Sequence, residues 1–74
     1  MAKLNPFYSK LLVQSEKCRK KADDCKRQAE RMPTRAMAAI FRERERMWLI
    51  SAYELENMAS LAILVEDLLE QVAD

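Results

Sequence analysis

Residues 47–72, MWLISAYELENMASLAILVEDLLEQV, contain no Gly, Pro, Lys or Arg. Nothing in the stretch stops a helix. Apolar residues recur along it at helical spacing: Trp48, Leu55, Met58, Ala62, Val65, Leu69 and Val72. One apolar stripe is enough to pack a helix on one neighbour. Here the run MASLAILV, from Met58 to Val65, places apolar side chains on every face, with Ser60 the one interruption. A chain built around this helix needs more cover than a single partner helix supplies.

The chain has 74 residues, enough for one small domain. Domains of this size often rely on a metal, disulfides or oligomerisation. There is no His, and Cys18 and Cys25 are the only thiols, which leaves no zinc ligand set. On a helix the two Cys are separated by about 10.5 Å of rise, too far to bond to each other. They read as small buried hydrophobes in a reducing cytoplasm, ahead of a Cys–Cys bridge across a dimer or a redox sensor. Oligomerisation is the remaining means of stabilisation, and no cofactor is expected.

Gly is absent and Pro occurs twice, at Pro6 and Pro33. Strand signals and disordered tracts are missing, so the expected fold class is all-α. Lys3 is followed by Leu4-Asn5-Pro6 rather than by the apolar core of a signal peptide. No apolar run approaches the ~20 residues of a membrane span. The chain is therefore expected in the cytoplasm, or acting inside a host cell, with no membrane partner.

Met1–Asn5 forms a short lead. Asn5-Pro6 reads as an N-cap followed by Pro at the first helical position. The first helix is predicted from about Pro6 to Arg31. Its seam is nearly strict in heptads: Leu4, Tyr8, Leu11, Ser15, Cys18, Ala22, Cys25, Ala29 and Met32. From Ser15 to Ala29 every seam residue is small, which lets a facing helix approach closely or insert large side chains. Residues 32–35 break the helix, because Pro33 lacks an N–H and biases Met32 away from helical backbone. Either Thr34 caps the second helix or Pro33 opens it. The second helix is predicted from about Arg35 to Ala73. A connection this short favours an antiparallel hairpin over a kinked continuous helix.

Aligned antiparallel about Pro33, Phe41 faces Cys25, Trp48 faces Cys18, Leu55 faces Leu11 and Ala62 faces Leu4. Large residues on one helix meet small ones on the other. The second helix would be ~57 Å long against ~39 Å for the first. Residues from Ile63 onward then overhang, carrying Ile63, Leu64, Val65, Leu68, Leu69 and Val72. Leaving them in water forgoes on the order of 1.5–3 kcal/mol each. A second protomer laid antiparallel would cover them and make a four-helix bundle, and a groove on a larger protein is the other cover. Phe7 and Tyr8 lie near the overhang and are expected to join that interface.

Net charge conceals a division. Residues 1–35 hold ten Lys/Arg and four acids, whereas residues 36–74 hold three Arg and eight acids. The basic residues Lys20, Lys21, Arg27, Arg31, Arg35, Arg42 and Arg46 form a candidate charged partner surface. The plainest reading of the first-helix run Lys17-Cys18-Arg19-Lys20-Lys21, with Lys26, Arg27 and Arg31, is a solvated helix face, ahead of an acidic protein partner and then of nucleic acid. Acids are interleaved, and no aromatic sits among the bases to stack on nucleobases. In Arg42-Glu43-Arg44-Glu45-Arg46, opposite charges pair at i,i+3, Arg42 with Glu45 and Glu43 with Arg46. The same run is expected to place Arg44 on the seam between Phe41 and Trp48, where a polar residue sets register. Trp48, Phe41 and Met58 are expected in the core, and Met32, Met37 and Met47 near the turn offer an adaptable surface. Glu66, Asp67, Glu70 and Asp74 crowd a helix C-terminus that disfavours them. Lys3 and Lys10 are close enough to offset part of this.

Catalysis has no support. No His, no Gly-rich loop and no nucleophile with a nearby base is present, and two helices offer little concavity.

The spacing Tyr8, Ser15-Glu16-Lys17-Cys18-Arg19, Ala22, Pro33, Arg35, Trp48 and Ala52 resembles that of small bacterial helical-hairpin proteins, over roughly residues 8–56. In size and layout the chain is also similar to the small hairpin co-chaperones of type III secretion, and to phage or plasmid anti-activators that dock on a regulator. The resemblance is one of layout and transfers no site residue. The expected function is a non-enzymatic interaction module, a homodimer that binds and modulates a larger protein as an inhibitor or anti-activator. A secretion-type co-chaperone and a small dimeric nucleic-acid-binding protein using the basic first helix are the alternatives.

Overall fold

The computed structural model describes residues 6–73. Two helices, α1 (Pro6–Arg31) and α2 (Arg35–Ala73), pack against each other along an elongated body of 62 × 15 × 11 Å. Both helices keep their predicted bounds. Lys3, Leu4, Asn5 and Asp74, expected to form a counter-charge, a seam residue, a cap and a terminal acid, lie outside the described residues.

The turn resolves the choice between Thr34 and Pro33. The Met37 N–H donates to Thr34 Oγ1 at 3.2 Å, and the Ala38 N–H donates to the Thr34 carbonyl at 3.0 Å. Thr34 is thus the N-cap of α2, its hydroxyl satisfying an N–H that has no partner within the helix. On the other side, the Met32 N–H reaches back to the Ala29 carbonyl at 3.3 Å, tightening the last turn of α1 before Pro33 ends it. Met32 is half-buried at this end of the hairpin.

The α1 seam is the predicted one. Leu11, Ser15, Cys18, Ala22 and Ala29 are buried, and Tyr8, Cys25 and Met32 are half-buried. The α2 seam runs Ala38, Phe41, Glu45, Trp48, Ala52, Leu55, Ala59, Ala62 and Glu66, alternating steps of three and four. It departs from expectation in two places. Arg44 is exposed, and half-buried Glu45 holds the seam position between Phe41 and Trp48. Met58 is 46% exposed while its neighbour Ala59 is 2% exposed. Both corrections have one physical origin, because a strict heptad from Ala52 fixes positions 45 and 59, and close axes favour the small side chain.

The pairing also differs from the large-against-small scheme. On both helices the fully buried positions are mostly small, with Ala22 and Ala29 on one and Ala52 and Ala59 on the other. Phe41, Trp48 and Leu55 flank this narrow core and stay half-buried. The register moves with it. Ser15 meets Glu56, which sets Leu55 level with Ser15 rather than with Leu11, about one helical turn from the expected pairing.

Candidate functional site

Among the described residues, Ser15 is the one polar side chain at a buried position. Its hydroxyl donates a hydrogen bond across the seam to Glu56 Oε2. The same carboxylate accepts two bonds from Arg19, Nε to Oε2 at 2.9 Å and Nη2 to Oε1 at 2.8 Å. This bidentate fork fixes the carboxylate plane as well as its charge. The Arg19 hydrogen bonds, and then the Ser15 hydroxyl, hold the Glu56 carboxyl below its ordinary pKa. Arg19 is raised in turn, first by the hydrogen bond and then by the charge of Glu56. The triad marks one flank of the hairpin.

Trp48 marks the opposite flank. The Lys21 Nζ sits 4.5 Å from the Trp48 ring centroid, an ammonium held over an aromatic face. Gln14, Lys17, Cys18 and Lys20 complete a shallow hollow around the ring. Trp48 shares this hollow with Cys18, but the shifted register moves it about one turn from the expected Cys18 pairing, and Lys21 covers its ring.

Several of the basic residues are engaged by the chain's own acids. Arg27 is engaged by Asp23 at 3.0 Å and Asp24 at 2.7 Å. Arg46 is engaged by Glu43 at 2.9 Å, a pair that lowers the Glu43 pKa and raises that of Arg46 through its hydrogen bond and charge. Lys20 borders a hollow with Glu16, Arg19, Asp23, Asp24 and Arg27. Arg31 and Arg35 stand on either side of the turn, and Arg42 is exposed on α2. Arg44 packs its guanidinium 5.7 Å from the Phe41 ring, outside the seam.

The open end of the hairpin is different in kind. Phe7, Ile63, Leu64 and Val65 are exposed, as are Leu68 at 60%, Leu69 at 63% and Val72 at 82%. Tyr8 is half-buried in the seam and contributes one edge. Exposed apolar residues also continue back along α2 through Leu61, Met58 and Met47. A patch of this extent marks an interaction surface far more often than a plain solvent face.

Among the described residues no group of three or more His, Cys, Asp or Glu is placed to hold a metal ion. No described helix is long and apolar enough to cross a membrane. Cys18 is a buried free thiol and Cys25 a half-buried one.

Sequence reasoning missed Glu56. The signal was present in two parts: a polar residue, Ser15, on a buried seam requires a partner, and Arg19 lies one turn further on. An acid on the facing helix completes that set.

Fold and surface together define an antiparallel helical hairpin with a narrow, small-residue core and an uncovered apolar end. No protein-family model, no curated protein and no solved structure matches the chain.

Proposed function

We propose that the chain is a non-enzymatic protein-interaction module that binds a larger protein and modulates it, in the manner of an inhibitor or anti-activator. One observation carries this reading. Leu68, Leu69 and Val72 are at least 60% exposed at the end of a helix whose other half is packed. Side chains of this size stabilise a complex when they are removed from water. The charged groups support the same reading in a different way. Arg19, Arg27 and Arg46 are each bound to an acid of the chain itself. That neutralises part of the basic surface on which nucleic acid would rely.

The test is site-specific photocrosslinking in the cells that make the protein, from Leu61, from Leu68 and from the turn residue Arg35. Crosslinks from Arg35 or Leu61 to a protein larger than the chain, lost when Leu68→Asp breaks the association surface and kept in Lys20→Ala, are the expected result. Strong, salt-sensitive crosslinking to nucleic acid from the Lys20 face would overturn it.

A further inference from the structure

Two flanks of α2 can be told apart. Glu56 lies on the flank where Arg19 bonds to it, and Glu70 repeats its heptad position two heptads later. The other flank holds Met58, Val65 and Val72, and beside them Leu61 and Leu68. These five residues follow steps of three and four, so they make a second seam, distinct from the one that α1 covers.

From Met58 onward the acids avoid this second seam, and Glu54, one step before Met58, stands at its near end. Glu66 shares the heptad position of buried Ala52 and Ala59 and turns towards the first seam, where it is half-buried. At about 100° per residue, Asp67 and Glu70 lie next to Glu66 on the same side. The positions bordering the second seam are Leu64, Leu69, Asn57, Gln71 and Ala62, all uncharged. There is no basic residue anywhere from Met47 to the end of α2. Two copies of such a face meet without like charges opposed, whereas a basic partner finds no acid on it from Met58 onward.

The spacing is also the same in both directions. Leu61, Val65, Leu68 and Val72 are separated by four, three and four. Reversed, Leu61 falls on Val72 and Val65 on Leu68. This is the self-complementarity that a two-fold interface requires. With Leu64, Leu69 and Met58, the exposed apolar surface is on the order of 800 Å² per copy, the share each partner gives to a standard-size interface.

We infer that the occupant of this surface is a second copy of the chain, whose α2 lies antiparallel along the second seam with Val65 against the second copy's Leu68 and Leu61 against its Val72. The inference rests on reading the apolar end as an association surface, and names what covers it. In such a dimer the two turns point in opposite directions, leaving Arg31 and Arg35 at the far ends for a larger protein.

The test combines light scattering with cysteine crosslinking. Leu61→Cys and Val72→Cys are oxidised separately and as a mixture, with the unaltered chain as control for Cys18 and Cys25. The expected result is a dimer that crosslinks in the mixture and not in either variant alone, since two copies of residue 61 lie about 16 Å apart in this arrangement. Leu68→Asp is expected to weaken the dimer about tenfold or more while keeping its helix signal. Crosslinking within each single variant would indicate parallel pairing and overturn the inference. So would a dimer indifferent to both Leu68→Asp and Leu61→Asp. A monomer that binds an apolar dye, with binding lost in Leu68→Asp, would overturn self-pairing and keep the association surface. A monomer that binds no dye would overturn both.

Discussion

The Ser15 hydroxyl bonds across the seam to Glu56, a polar contact set among alanines. Its two partners are not equivalent. Ser15 is 3% exposed, while Glu56 keeps Arg19 whatever happens to Ser15. Removing the hydroxyl by Ser15→Ala leaves no group unsatisfied and raises helix propensity. Stability is expected to change by less than about 0.5 kcal/mol. Glu56→Ala strands the buried hydroxyl and frees Arg19, and is expected to lower the melting temperature clearly more. Thermal unfolding followed by circular dichroism decides this, and equal effects would mean that the hydroxyl has another acceptor.

The same carboxylate makes the hairpin sensitive to acid. Glu56 is held below its ordinary pKa by Arg19 and Ser15, and Glu43 below its own by Arg46. A depressed carboxylate binds its proton more readily in the unfolded chain. Its stabilisation is therefore full above about pH 5 and is lost as pH falls through the carboxylate range and below. Glu56→Gln is expected to flatten this acid limb of the stability profile. Glu43→Gln is expected to flatten it less, because the Glu43–Arg46 pair lies exposed on one helix and ties nothing across the seam. An acid limb unchanged in Glu56→Gln would assign it to other carboxylates.

Both helices were legible because Pro6, Pro33 and the absence of Gly leave few places for a boundary. The α1 seam was legible because polar residues surround it on both sides. The α2 seam was legible at Phe41, Trp48, Leu55 and Ala62, but not at the positions between them. Before Trp48, five consecutive charged residues allow either Arg44 or Glu45 to fill the step. Beyond Leu55, apolar residues occupy every face, and hydrophobicity alone prefers Met58 to Ala59. Ala59 is buried because closely approaching axes leave room for a methyl group and not for a thioether chain. That is a property of the pair, and one helix read alone does not contain it. The excess of apolar residues beyond Met58 was legible as such; their sorting into a covered and an uncovered seam needed the flank that Arg19 and Glu56 mark.

The small-residue core makes a direct prediction. Ala52 is 0% exposed and Ala22 is 2% exposed. Ala52→Leu or Ala22→Leu forces the axes apart and is expected to cost about 1–3 kcal/mol. Ala39→Leu, on the exposed face near the turn, is expected to change stability by less than about 0.5 kcal/mol. Chemical unfolding of the three variants tests the packing. Equal stability would mean that the helices are not closely apposed at Ala52.

Trp48 provides a local reporter for the opposite flank. Lys21 places its ammonium over the ring at 4.5 Å, and its aliphatic stem covers part of the same surface. A contact of this kind at a half-exposed site contributes about 0.5–1 kcal/mol. Lys21→Ala is expected to destabilise the hairpin by that amount and to shift the Trp48 emission to the red as water reaches the indole. Lys20 borders the same hollow, yet its ammonium is not the one held over the ring. Lys20→Ala is therefore expected to leave both stability and emission nearly unchanged. Lys21→Met separates the two contributions of Lys21, because it keeps an apolar stem over the ring and removes the charge. Emission near that of the unaltered chain with reduced stability would assign the contact to charge. Full recovery of both would assign it to packing alone.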